Sequence, residues 1–177
     1  MSPRGYPLVN ILLIAPRTDL LLADAEVQAV LRSGLSVTPR MGHVTHADVL
    51  ADVTGGEYDG LWFAGHVVAT GMMLSDGVLT NAELAPLVRD RFPFVFLNSC
   101  DSRATARLLR RETNAAIIAT VLDVPDRLAF QTGALFAQAL AATDDVTAAY
   151  QAALPGDNRT YVYLAAPGTG KKKWTRG

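Results

Sequence analysis

The chain holds one cysteine, Cys100, and three histidines, His43, His46 and His66. Cys100 lies in the stretch Phe94-Val95-Phe96-Leu97-Asn98-Ser99-Cys100-Asp101-Ser102. Its four leading apolar residues predict a short strand buried on both faces. Asn98, Ser99, Asp101 and Ser102 supply the turn and N-cap chemistry that ends such a strand. A helical pattern runs from Arg103 to Arg111, so Cys100 is expected where a buried strand passes into a helix N-terminus. Unpaired N–H groups and the positive end of the helix dipole favour thiolate over thiol there, and the thiolate is the nucleophile. A lone cysteine is by default a small apolar core residue, but these polar flanks argue that its side chain leaves the core.

Asp59-Gly60-Leu61-Trp62-Phe63-Ala64-Gly65-His66 is a second short apolar strand, ending in glycine and then histidine. A strand-end histidine alone is most simply structural. In a parallel α/β sheet, however, consecutive strands separated by a helix often lie side by side, and their C-terminal ends open on one crevice. His66 and Cys100 each follow such a strand. Adjacent ends would bring together an imidazole and a thiol, the pairing that activates a cysteine nucleophile.

The remaining pattern supplies elements to hold those two positions. Leu8–Ala15 reads as the first buried strand, followed by helical spacing from Asp24 to Ser33 that stops at Gly34. Leu35–Thr38 reads as a second strand closed by Pro39, and Thr45 or His46 opens a helix through Val53 that ends at Gly55-Gly56. Met72 to Leu79 predicts a hairpin turning at Ser75-Asp76-Gly77. Asn81 is expected to cap a helix running to about Arg91, and Ala115–Thr120 to form a fifth strand. Pro125 starts a long helix with Leu128, Thr132, Leu135, Phe136 and Ala139 on one face. A helix from Asp144 to Leu154 and a strand Tyr161–Ala165 complete a single domain over residues 1–166, with 167–177 expected as a flexible basic tail. This alternation predicts an α/β fold with a mostly parallel sheet.

Composition narrows the function classes. The 177 residues are half hydrophobic and 19% charged, with formal net charge −1, enough for a full core. That balance gives no reason to expect nucleic acid or a membrane surface as partner. One cysteine excludes a disulfide framework and a cysteine-rich metal site and fits the reducing cytoplasm; no metal or cofactor is expected. The apolar run Leu8–Ala15 is too short to span a membrane, and a signal peptide is not expected. His43 and His46 flank a turn and are read as structural or solvated. Arg103, Arg107, Arg110 and Arg111 lie at helical spacing, by default a solvated face, with docking of an acidic partner as the sharper option. Lys171-Lys172-Lys173 does not complete a phosphate loop, because Ala165 stands where its first glycine would fall and lysine follows Lys171.

Four motifs in order resemble the caspase-like cysteine peptidases, and within them the bacterial CHAT family related to separase. Leu61-Trp62-Phe63-Ala64-Gly65-His66 resembles the strand that ends in the catalytic histidine. Leu74-Ser75-Asp76-Gly77, with Leu79-Thr80 and Glu83-Leu84, resembles the hairpin and helix after it. Phe96-Leu97-Asn98-Ser99-Cys100-Asp101-Ser102 resembles the nucleophile strand, and Ile118 to Asp126 is similar to the segment that follows. Two positions depart from the pattern: Val67 stands where glycine usually follows the histidine, and Leu122 where tryptophan is common. Valine still offers its N–H but restricts the backbone and crowds the site.

The resemblance implies a three-layer caspase-like fold, a mostly parallel central sheet flanked by helices. It implies a His66–Cys100 dyad in an endopeptidase, with the backbone N–H groups of Val67 and Cys100 as the oxyanion site. It further implies a protein substrate cleaved after a basic residue bound by Asp123, with Asp126 in reserve, and a bacterial enzyme of an immune or cell-death pathway, switched on by a protein partner, sensor or assembly. The alternative is a caspase-like interaction module with little or no catalysis. A receiver domain is disfavoured because the first strand ends Ala15-Pro16-Arg17 without acidic residues. A glutamine amidotransferase is disfavoured because histidine precedes cysteine and no glycine flanks Cys100.

Overall fold

A computed structural model describes residues 9–154 and 159–167; the expected basic tail from residue 168 onward, and Leu8 of the first strand, lie outside the described residues. The elements in chain order are β1 (Asn10–Pro16), α1 (Ala23–Leu31), β2 (Ser36–Gly42), α2 (His46–Gly55), β3 (Gly60–Ala64), β4 (Val67–Val68), β5 (Gly71–Leu74) and β6 (Gly77–Thr80). They continue with α3 (Asn81–Val88), β7 (Phe94–Asn98), α4 (Arg103–Glu112), β8 (Ala116–Thr120), α5 (Asp126–Thr143), α6 (Val146–Ala153) and β9 (Tyr161–Leu164). Six strands form one sheet in the order β2-β1-β3-β7-β8-β9, and β4-β5-β6 form a small separate sheet. In the large sheet β1, β2, β3, β7 and β8 are parallel to their neighbours, and β9 runs antiparallel along β8.

The apolar runs make three layers because successive strand residues point to opposite faces. Leu61, Phe63, Val95 and Leu97 join a cluster with Val49 and Val53 of α2, Leu84 and Val88 of α3, and Leu109 of α4. Trp62, Phe94 and Phe96 join the opposite cluster with Val27 and Val30 of α1, Phe136 and Leu140 of α5, and Val146 of α6. On that second face Trp62 and Phe96 meet edge-on with centroids 4.5 Å apart, and Phe96 and Phe136 lie 4.9 Å apart. Such aromatic pairs add about 0.5–1.5 kcal/mol each beyond their buried area. None of the described helices is long and apolar enough to cross a membrane.

Several local expectations need correction. Pro39 does not close β2 but lies inside it, opposite Leu13; β2 is the sheet edge, where a proline is tolerated with its missing N–H turned away from the neighbour. Thr80, not Asn81, is the N-cap of α3, because its hydroxyl accepts the Glu83 N–H and the Glu83 carboxylate accepts the Thr80 N–H. That helix ends at Val88 rather than Arg91, since Arg89 leaves helical ψ and Asp90 takes φ +59°. Leu135 is exposed, and the buried stripe of α5 is Thr132, Gly133, Phe136, Ala137 and Leu140. The expected hairpin gains a third strand, β4, returning to it through Gly71 at φ +155°, where a Cβ would collide with the Leu79 carbonyl.

Candidate functional site

β3 and β7 are neighbours, paired parallel from Gly60–Phe94 through Ala64–Asn98. His66 and Cys100 therefore each stand two residues past the same last rung, at the C-terminal edge of the sheet. Trp62 and Phe96 on one face, with Phe63 and Leu97 on the other, fix that rung, so the packing that holds the core also sets the height of both side chains.

The turn that carries Cys100 is pinned from beneath. Thr120, at the end of β8, donates its hydroxyl to the Ser99 carbonyl and accepts the Ser102 N–H at 3.2 Å. The Ser102 hydroxyl donates to the Leu97 carbonyl at 3.4 Å and receives the Thr120 N–H at 2.9 Å. Ser102 thus occupies the N-cap position of α4 without capping it, its side chain being spent on this buried network. Asp101 takes φ +35° and its N–H reaches the Leu122 carbonyl at 3.4 Å. A left-handed non-glycine residue is tolerated best in asparagine and aspartate, which explains the residue type beside the cysteine. Cys100 is half-buried, and its thiol donates to the Val124 carbonyl at 3.7 Å. The Ser99 hydroxyl is buried without a hydrogen-bond partner.

His66 is held differently. Its Nε2 lies 2.7 Å from Asp19 Oδ1, on the exposed loop after β1. The His66 hydrogen bond, followed by a bond to its own backbone, holds the Asp19 carboxyl below the usual carboxylate range. An ionised Asp19 can only accept, so Nε2 carries the proton and neutral His66 keeps its lone pair on Nδ1. The sequence reading named no acid for His66; Asp19 is that acid. Its signal was absent from pattern alone, because Thr18-Asp19 reads as ordinary turn chemistry.

Val67 begins β4. The Met73 N–H bonds the His66 carbonyl at 2.9 Å, which makes Val67 and Met72 a non-hydrogen-bonded pair and keeps the Val67 N–H out of the ladder. Val67 is not among the residues with positive φ, and its side chain packs on the core cluster. The valine sits in ordinary extended backbone.

The two candidate pocket acids separate. Asp123 is exposed on the loop after β8. Asp126, in the first turn of α5, accepts the Leu21 N–H at 3.1 Å and lines a cavity of about 20 Å³ with Glu26, Ala64, Gly65 and Asn98. Of the other histidines, His46 begins α2 and ties it to the β5–β6 turn through Asp76, with Nδ1 2.8 Å from Oδ1. That hydrogen bond is the main reason its imidazole titrates above the ordinary value.

Glu26 was not singled out in the sequence. It is 3% exposed, lies in the apolar stripe of α1, and accepts the Trp62 indole N–H at 2.8 Å. A carboxylate at the spacing of Val27 and Val30 was the available sign, since charged residues are rarely buried without a partner.

No family model matches the chain, and no curated protein matches it. Among solved structures it is similar to the Arg-specific cysteine proteinase gingipain R, with TM-score 0.59 and 17% identity over 76% of this chain and 37% of that one. A match to Staphylococcus aureus pyridoxal kinase in complex with pyridoxal has TM-score 0.43 and 11% identity over 84% of this chain and 86% of that one. The chain spans little more than a third of the proteinase it resembles. The likeness to gingipain R is one of fold: three layers around a mostly parallel six-stranded sheet, the caspase-like architecture.

Proposed function

We propose that the chain is a caspase-like cysteine endopeptidase with His66 and Cys100 as its dyad. One observation carries the reading: the Ala64–Asn98 rung sets an imidazole and the chain's one thiol at matched positions on adjacent strand ends. In the reaction the thiol leaves the Val124 carbonyl and gives its proton to His66 Nδ1, and its sulfur attacks the substrate carbonyl carbon. The carbonyl oxygen takes the negative charge against the Val67 and Cys100 N–H groups. Collapse of that intermediate breaks the C–N bond while protonated His66 gives its proton to the leaving amine. Water then hydrolyses the thioester, His66 taking one of its protons. Asp19 orients the ring so that Nδ1 faces the reacting atoms.

The substrate residue before the scissile bond is basic in this reading. Asp126 lies beside Gly65 and Asn98 and keeps Oδ1 available after bonding Leu21 through Oδ2. It takes precedence over the exposed Asp123. A guanidinium would donate to that free oxygen and share the carboxylate's charge. The thiol and imidazole bond to other partners and not to each other, which favours a resting state released by a partner protein, sensor or assembly in a bacterial cytoplasm. The same separation would also suit a non-catalytic interaction module.

A peptidyl acyloxymethyl ketone ending in arginine decides between them. Covalent labelling at Cys100, lost in Cys100→Ala and His66→Ala variants that still fold, is the expected outcome. Failure to label under any activating condition sinks the peptidase. Full arginine preference in an Asp123→Ala, Asp126→Ala double variant sinks the assigned specificity alone.

A further inference from the structure

Glu26 is a fully buried carboxyl with no lysine or arginine among the residues lining its cavity. It belongs to a chain of side chains that joins five elements beneath the strand ends. Trp62 of β3 donates its indole N–H to Glu26 at 2.8 Å, and Asn98 of β7 lines the same small cavity as the carboxyl. The Asn98 amide donates to the Ala129 carbonyl of α5 at 2.8 Å and accepts the Tyr161 hydroxyl of β9 at 2.5 Å. On the remaining side α5 comes so close that a Cβ on Gly133 would stand 2.9 Å from Glu26 Oε1. Asn98 is two residues before Cys100, so whatever fixes Asn98 fixes the base of the nucleophile turn.

We infer that Glu26 is the proton-linked positioning residue of the Cys100 strand end, holding the Asn98 side chain by a carboxyl whose charge sets how firmly it does so. Ionised, it accepts a charge-assisted bond from Trp62 and attracts the Asn98 amide across the shared cavity; protonated, it loses the charge that strengthens both. Desolvation is the main cause that lifts its pKa to about 7, with Asn98 and the Trp62 bond opposing, so the change of state falls near neutrality. The titratable groups facing it are Tyr161 on β9, Asp126 along the cavity on α5, and Cys100 past β7 near Tyr161. β3 presents only Trp62, α1 none beyond Glu26 itself among the cavity-lining residues. Burial raises the Tyr161 phenol well above its ordinary value, so it stays a neutral donor throughout. The consequence for catalysis rests on the peptidase reading; the brace itself does not.

The test uses the full chain and two readouts that need no cleavage. The Trp62 indole N–H resonance, assigned by its loss in Trp62→Phe, is followed from acid to alkaline pH. It should shift with a midpoint near 7 in the wild type and stay flat in Glu26→Gln. Cys100 alkylation by iodoacetamide should show a several-fold inflection over the same range, absent in Glu26→Gln. A Trp62 resonance that does not titrate in the wild type overturns the inference, even if the variant fails to fold. Superimposable alkylation profiles for wild type and Glu26→Gln overturn it as well. If both titrations occur while no peptide is cleaved, the peptidase reading falls and the brace stands.

Discussion

Cys100 and His66 stand at the same height on neighbouring strands, yet the two arms are built from different materials. The Cys100 arm is tied to β8 by Thr120 and Ser102, both fully buried, and braced by Asn98, Tyr161 and Glu26. The His66 arm rests on one bond to Asp19, a carboxylate 88% exposed on its side chain, and on the edge of a small antiparallel sheet. Buried hydrogen bonds are costly to break because each leaves a desolvated group unpaired, whereas water replaces an exposed bond at little cost. The comparison teaches where control would act: the thiol is fixed, and the imidazole can be moved by anything that moves the loop after β1.

Breaking the rigid arm should give the largest stability effect. Thr120→Val keeps the shape but strands the Ser102 N–H and removes a donor to Ser99, so it should cost about 2–3 kcal/mol. Thermal melting would then fall by roughly 5–10 °C, and cleavage would fall with it. A melting temperature matching the wild type would show that the network is slack.

The next effect has a sign of its own. Glu26 has its folded pKa raised, from 4.5 to about 7. The folded state therefore binds the proton more tightly than the unfolded one. Its contribution favours folding below the unfolded value and is lost as pH rises through about 7. Glu26→Gln should remove that slope, so urea midpoints of variant and wild type diverge in the variant's favour as pH rises. Parallel curves would place the carboxyl in a more hydrated setting.

The soft arm should answer in activity and not in stability. Asp19→Asn leaves melting unchanged within error, and lowers cleavage on the order of ten- to a hundredfold by freeing the ring to turn. A clear loss of stability in that variant would erase the contrast. The smallest effect serves as a reference outside both arms. His46 titrates above its ordinary value chiefly because of its bond to Asp76. That pair supports folding below the unfolded imidazole pKa and stops doing so as pH rises through the folded one. Asp76→Asn should flatten this weak slope in urea titrations and leave labelling of Cys100 untouched.

Strands β3, β7 and β8 were legible because short apolar runs bounded by turn residues have few other readings, and the expected neighbourhood of β3 and β7 is what the sheet shows. Both chemistry-bearing positions were legible for the same reason, as the first polar residues past such runs. Asp19 was not, because its role depends on how a loop folds back over 47 positions of sequence to His66. Glu26 left a trace, an acid in an apolar stripe, but its partner Trp62 and the neighbouring Asn98–Tyr161 pair come from three strands that only the fold assembles. β4 is two residues long, too short for alternation to register, and Pro39 showed that a chain breaker marks an edge as readily as an end.

That proline has a consequence for how the molecule keeps company. A sheet edge is a template on which further chains can stack, and each missing donor removes a rung from it. With Pro39 in the middle of β2 and the Arg40 guanidinium beside it, paired to Asp52 at 2.5 Å, that margin offers an incoming strand neither an unbroken ladder nor an uncharged surface. Concentrated solutions of the protein should therefore resist fibrous growth from the β2 side, and Pro39→Val together with Arg40→Val should be the short route to a protein that precipitates.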